Sequence, residues 1–404
     1  MWSFHRLLRR DQPLRFYFFA VPRLSLDIMG YWPMGDDLPA RAIVHFVILS
    51  IGVVTELHAG LMFLQNAQIT LALETLCPAG TSAVTLLKML LMLRYRRDLA
   101  NVWMQLQRML FDTGLNRPEQ KAIMHDHSVM AARINFWPLS AGFFTCTTYN
   151  LKPLLIALIL YLRDPDRELP WNTPFNMTMP KVLLAAPFFP LTYAFIAYTG
   201  YVTIFMFGGC DGFYFEFCAH ISSLFQSLQE EIRSIFRPYE EYLKLTPAQC
   251  ARLELQLRGI IIRQNSVFEL ISFFRKRYTV ITLAHFVSAA LVIGFSICNL
   301  LTVGNNSLGA LLYVAYTVAA LSQLLVYCYG GTLVAESSVE LSRVAASCPW
   351  SLCAPRQRRV ILLLILRSQR APTMAVPFFS PSLNTFASIL HTSGSIIALA
   401  KSFQ

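Results

Sequence analysis

The sequence predicts an all-α membrane protein with seven transmembrane helices, on three observations. Charged residues make up 14% of the 404 positions and hydrophobic ones 55%, whereas a soluble domain carries about 25% charged. Six long apolar stretches and a seventh, interrupted one are each able to cross a bilayer. The Lys and Arg residues gather in alternate loops between them. So little charge cannot cover a globule with polar surface, so the solvent for much of the chain is lipid. A soluble enzyme, a disordered scaffold and a disulfide-stapled secreted module are excluded. The net charge of +11 lies between apolar runs rather than in a basic patch, which argues for topology signals and against a nucleic-acid partner.

A spanning helix needs ~20 mostly apolar residues. Residues 1–41 contain six Arg and an apolar run, 16–21, of only six residues. That is below the ~7–15 of a signal-peptide core, so they form a cytoplasmic N-terminal segment and the first span directs its own insertion. Spans one to four fall at 42–64, 69–93, 136–162 and 182–207, together the unit 42–207. Gly208, Gly209, Cys210, Asp211 and Gly212 are expected to mark a bend where the fourth span leaves the membrane. Residues 208–277 place Phe217, His220, Ile221, Leu224, Leu228 and Ile232 at helical spacing, then Leu253, Leu255, Leu257, Ile260 and Ile261. They read as two cytoplasmic helical extensions separated by Pro238 and Pro247. Spans five and six, at 278–302 and 308–329, make up the unit 278–329. A short apolar run at 360–366 is stopped by Arg367, Arg370, Pro372 and Pro377. The seventh helix is therefore broken, with a cytoplasmic half within 330–380 and a spanning half within 381–404.

Orientation follows from the basic residues, because short loops rich in them stay cytoplasmic. The N-terminal segment and the second, fourth and sixth loops (the last counted to Arg359) hold 26 Lys and Arg, and the opposite side holds 4. The N-terminus is thus expected inside and, after seven spans, the C-terminus outside. Two glycosylation sequons, at Asn176 and Asn305, both fall in loops that the charge rule places outside. G-protein-coupled receptors have the reverse orientation, and no DRY-like or NPxxY-like run is present. No phosphate-binding loop, zinc-helix or nucleophile-elbow motif occurs, so no enzyme and no cofactor is expected. The nine Cys form no C-x-x-C pair. His125, Asp126 and His127 read as a solvated helix face rather than a metal site. Within the spans, Glu56 and Glu74 are expected to reach water at the outer ends and Lys88 to snorkel inward; Lys152 is left unassigned.

The C-terminal part carries Tyr329-Gly-Gly, Glu336-Ser-Ser, Pro349-Trp350, Arg358-Arg359, Arg367-Ser-Gln, Phe378-Phe379, Ser382-Leu383 and Thr385-Phe-Ala-Ser-Ile-Leu390. This order and spacing resembles the insect odorant receptors, inverted seven-helix ligand-gated cation channels. Gustatory receptors share that architecture, but the last helix here, from Leu390 to Lys401, lacks their Thr-Tyr and Gln-Phe signature. By its residues alone, the final helix with Ser393, Gly394, Ser395 and Ser402 suits either a pore lining or close helix packing. The resemblance implies an odorant-binding subunit that forms a heterotetramer with an obligate co-receptor in the plasma membrane of an olfactory dendrite. It further implies that 208–277 packs with the first half of helix seven as an anchor, and that the second half lines a central pore. Leu399 would then be the gate and Ser402 a polar ring. A gustatory-type channel or a G-protein-coupled receptor is the alternative.

A pocket for a small volatile organic ligand needs apolar walls and a few polar groups. Tyr313 and Tyr316 share a face of the sixth span at i, i+3. Tyr149 and Pro153 lie similarly on the third, and Phe189, Tyr193 and Ile196 on the fourth. Aromatic filling of a bundle core is the competing reading for each, and the resemblance places the pocket at their level. Epitope tags at both ends, stained before and after permeabilisation, check the topology. The C-terminal tag is expected to stain on intact cells and the N-terminal tag only after permeabilisation.

Overall fold

The computed structural model describes residues 7, 9–34, 40–111, 117–164, 172–239, 245–302, 307–370 and 372–402, the side chains of 299, 301–302, 307–312 and 396–402 excepted. Asn305 and the side chains of Leu399 and Ser402 therefore lie outside the described residues. The described residues form helices α1 (Leu14–Tyr17), α2 (Ala20–Met29), α3 (Ala40–Gln65), α4 (Ile69–Arg94), α5 (Arg96–Phe111) and α6 (Pro118–Arg163). They continue with α7 (Phe189–Phe236), α8 (Pro247–Thr302), α9 (Ser307–Ser347), α10 (Pro355–Gln369) and α11 (Leu383–Ser402). Six of these, α3, α4 and α6 to α9, are long and apolar enough to cross a membrane. Their outward faces carry large apolar residues such as Val54, Leu162 and Leu191, as helices surrounded by lipid do.

Helix length sets the architecture. At 1.5 Å rise per residue, α6 with 46 residues, α7 with 48 and α8 with 56 extend about 70–85 Å. The hydrocarbon core needs ~30 Å, so the long second and fourth loops are continuations of spans rather than separate hairpins. Within 208–277 the two expected extensions are present, one ending at Phe236 and the other opening at Pro247. Their stripes meet: Phe217, His220, Ile221, Leu224, Leu228 and Ile232 are buried, as are Leu253, Leu257 and Ile260. Leu255 points outward instead, because it lies two residues, about 200°, from both Leu253 and Leu257.

Three local expectations are revised. Residues 181–188 form turns and the fourth span is helical only from Phe189; Pro180, Pro187 and Pro190 leave too few N–H donors to start it earlier. The glycine cluster does not end the helix, which runs on to Phe236. A Cβ at Gly208 would stand 2.7 Å from the Leu139 side chain and one at Gly209 2.6 Å from Leu26. These glycines let α6 and α2 pack against α7. The His125–His127 face is also less open than expected: His125 meets the Gln12 carbonyl and His127 the Gln226 side chain, each at 3.0 Å.

The break in helix seven is present. α10 ends at Gln369 and α11 starts at Leu383, with Val376 and Phe379 exchanging backbone hydrogen bonds between them. Helix α10 is held by Gln264 Nε2, which donates to Ser368 Oγ at 2.6 Å, and by Gln357 Nε2, which donates to the Cys250 carbonyl at 3.2 Å. α11 is tied to α9, where a Cβ at Gly331 would meet the Pro381 carbonyl oxygen at 2.2 Å. Only glycine permits that approach. Beside it, the Leu383 N–H donates to Thr332 Oγ1 at 3.0 Å.

The interior is an aromatic stack from α7, α8 and α9. Phe217 lies 3.8 Å from Phe274, Phe274 4.4 Å from Tyr278, and Tyr214 4.5 Å from Tyr327, centroid to centroid. Beside it Lys88 does not snorkel. Its side chain is fully buried and its Nζ lies 2.6 Å from Asp211 Oδ1. The Tyr327 hydroxyl donates to the same oxygen at 2.7 Å. Stranding one charge of such a pair costs about 3–5 kcal/mol. Lys88→Met is therefore expected to abolish most folded receptor in fluorescence-detected size exclusion. Adding Asp211→Asn, which removes the stranded charge but still accepts from Tyr327, should restore most of it.

Candidate ligand cavity between the spans

A cavity of about 140 Å³ lies between α3, α4, α6, α7, α8 and α9. Small residues create it. Gly142, Gly200, Ala319 and Ala320 line the wall where larger side chains would fill the space. Gly200 is also a packing position, since a Cβ there would come 2.8 Å from Cys146 Sγ. Pro78, inside α4, lines the cavity and leaves the Glu74 carbonyl without its helical donor.

The inner end rests on the buried ion pair. Phe207 and His285 line the cavity, and Lys88 Nζ sits 3.9 Å from the Phe207 ring centroid. Lys88 Nζ also donates to His285 Nδ1 at 3.4 Å, and His285 stacks on Tyr327 at 4.5 Å. Lys88, Asp211, His285 and Tyr327 come one each from α4, α7, α8 and α9. The cavity floor is therefore the point where these four helices are tied together.

The outer end is aromatic. Tyr149 and Phe175 stack with centroids 5.9 Å apart and planes within 5°, and Tyr316 meets Tyr149 edge-on at 5.4 Å. These three side chains line both the cavity and a larger outer vestibule of about 630 Å³. They form the partition between the two. Phe175 reaches it because the outer loop folds back over α3: the Thr178 N–H donates to the Thr55 carbonyl at 3.1 Å, and His58 bonds the Thr178 hydroxyl at 3.0 Å. Asn176 of the first sequon lines the vestibule, its Nδ2 donating to Thr75 Oγ1 at 3.2 Å.

Of the residues singled out from the sequence, Tyr149 and Tyr316 line the cavity itself. Pro153 lines the vestibule, as does Lys152. Tyr313 is buried one turn outward of Tyr316 and lines neither space. Ile196 is fully buried against neighbouring helices. Tyr193 donates its hydroxyl to the Asn150 carbonyl and so joins α7 to α6, while Phe189 packs 5.8 Å from the Tyr193 ring on the same helix. Glu56, Phe175, Phe207 and His285 line the cavity without having been selected for it. Glu56 had been placed in outer water; it is buried instead, with 2% of its surface exposed. The carboxyl within an apolar run was its signal, and Phe175 had none beyond its closeness to a sequon.

In size, about 140 Å³ resembles the roughly 150 Å³ apolar cavity known to hold benzene. It suits a ligand of one ring with a small substituent, enclosed by aromatic walls.

A family model described as "7tm Odorant receptor" matches residues 68–394. Odorant receptor 10a of Drosophila melanogaster is 72% identical over 401 residues, covering 99% of both chains. Odorant receptor 22c of the same fly is 35% identical over 399 residues, covering 96% of this chain and 97% of its own. The solved structure of the insect olfactory receptor OR5 from Machilis hrabei shares the fold with a TM-score of 0.76 at 15% identity, covering 97% of this chain and 99% of that one. The same receptor solved in complex with eugenol matches equally. With a family match over most of its length and a near-full-length relative at 72% identity, this chain belongs to the insect odorant receptor family.

Proposed function

We propose that this odorant receptor is the ligand-binding subunit of a heteromeric, ligand-gated, non-selective cation channel, assembled as a tetramer with an obligate co-receptor. Its place is the plasma membrane of an olfactory sensory dendrite, with the N-terminus inside and the C-terminus outside. The observation that carries the reading is the one-ring cavity with an aromatic partition toward an outer vestibule. A receptor of the same fold has been solved with eugenol, which supports a small organic ligand here.

In this reading an odorant enters the vestibule past Pro153 and displaces the Tyr149–Phe175–Tyr316 partition. It is then held by burial of its apolar surface, at about 25 cal/mol per Å². Occupancy bears on Phe207 and His285, and through them on the Lys88–Asp211–Tyr327 cluster. Helix α9 carries the displacement to α11 through the Gly331–Pro381 contact and the Thr332–Leu383 hydrogen bond. Residues 381–404 line the pore, Leu399 closes it by dewetting and Ser402 adds a polar ring. The segment 208–277 with α10 anchors neighbouring subunits. A displacement of the floor changes the pore only if both ends share a two-state element, and α9, in contact with both, is that element.

Two substitutions separate pocket from gate when the chain is expressed with its co-receptor and currents are recorded. Tyr316→Ala is expected to rearrange odorant potencies by about tenfold, one buried aromatic contact's worth, with permeability ratios unchanged. Leu399→Ser is expected to raise ligand-free current or shift those ratios while leaving odorant rank order intact. An unchanged rank order in Tyr316→Ala would remove the pocket assignment. Robust odorant-gated current from this chain without any co-receptor would contradict the heteromer.

A further inference from the structure

Glu56 is the carboxyl among the polar groups that line the cavity. Its side chain is 98% buried (2% exposed) and lines the space. Among the described residues it has neither a hydrogen-bond partner nor an ion pair. Four of the cavity's hydroxyls are committed to their own helices. Thr81 donates to the Pro78 carbonyl at 2.7 Å, Thr199 to Ile196 at 2.7 Å, Thr203 to Thr199 at 3.1 Å and Ser288 to His285 at 2.9 Å. At the floor Lys88 pairs with Asp211 at 2.6 Å, while Asp211 Oδ2 and the cavity-lining His285 Nε2 have no hydrogen-bond partner among the described residues. Glu56 is a carboxyl without a partner, beside the aromatic partition.

We propose that Glu56 is a specificity-determining residue of the cavity, and that it selects compact one-ring ligands carrying a hydroxyl group. The inference rests on the cavity being the odorant site and names the chemistry it recognises. A buried carboxyl left unmatched is unfavourable, and a ligand that supplies the missing partner removes that penalty on binding. An ether or carbonyl oxygen only accepts, so it matches Glu56 only when the carboxyl is protonated. An ammonium only donates and matches it only when ionised. A hydroxyl donates and accepts, so it satisfies the carboxyl in either state. The volume limits the remainder of the ligand to about one ring, and Tyr149, Phe175 and Tyr316 supply faces and edges for that ring. Gln323 also lines the cavity, about 10 Å along α9 from Tyr316. Its amide both donates and accepts.

The test compares benzyl alcohol, toluene, anisole and benzylamine as agonists of the full chain expressed with its co-receptor, reading concentration–response currents. Wild type is expected to favour benzyl alcohol over toluene and anisole by about tenfold, the worth of one hydrogen bond. Glu56→Gln keeps a carbonyl acceptor and should retain the preference. Glu56→Met, of similar length and without polar atoms, should reduce it to within about threefold while toluene still activates, which also reports a folded receptor. The proposal is overturned if wild type lacks the preference, if Glu56→Met retains it, or if benzylamine is the strongest agonist and Glu56→Gln loses it. Should Tyr149→Ala and Tyr316→Ala re-rank the agonists while Glu56→Met does not, the cavity stands and only the hydroxyl selectivity fails. Should none of these variants re-rank them, the cavity is not the odorant site.

Discussion

The Lys88–Asp211 ion pair is the constraint around which the rest of the bundle is arranged. A fully buried ammonium is tolerated only with a close counter-charge and further hydrogen bonds. Here the counter-charge comes from α7, a second donor to it from Tyr327 of α9, and an acceptor for Lys88 from His285 of α8. Each partner lies on a different helix, so satisfying one lysine of α4 fixes the relative depth of four helices. Helix packing in a membrane has little hydrophobic driving force of its own. A polar cluster with strict distance demands therefore specifies register better than apolar contact does.

That register has consequences in both directions along the helices. Outward, it leaves a space above Phe207 and His285 that glycine and alanine keep open and aromatic side chains close. Inward, it aligns the aromatic stack of Phe213, Phe217, Phe274 and Tyr278, which continues into the extensions of α7 and α8. The floor of the cavity and the start of the inner bundle are thus the same group of residues. A ligand cannot fill the cavity without bearing on the cluster that sets the helices' depth. Helix α9 belongs to that cluster through Tyr327 and reaches α11 four residues later, at Gly331.

Glycine has a single physical role in both places. Gly208 and Gly209 admit α6 and α2 against α7, and Gly331 admits the Pro381 carbonyl against α9. In an isolated sequence a glycine pair at the end of an apolar run reads as a bend, since glycine weakens a helix by about 1 kcal/mol. The neighbouring helices reverse that reading. Where backbones must approach closely, the missing Cβ is the requirement and the helix continues through it.

The sequence by itself determined the helical class, the order of the six long apolar helices, the two helical extensions and the break in helix seven. These follow from hydropathy over about 20 residues, from proline and from apolar periodicity, all of which act within a single segment. It also located Tyr149 and Tyr316, because aromatic residues at helical spacing on neighbouring spans can be read one helix at a time. Only the tertiary structure decided that Lys88 is paired rather than snorkelling, that Glu56 is enclosed rather than wet, and that Tyr193 and Tyr313 face other helices instead of the cavity. Those outcomes depend on partners on other helices, 123 residues away for Lys88 and 43 for Tyr193. An ionisable residue near a span's end has two low-energy solutions, water or a partner, and the choice is made by the helices that surround it.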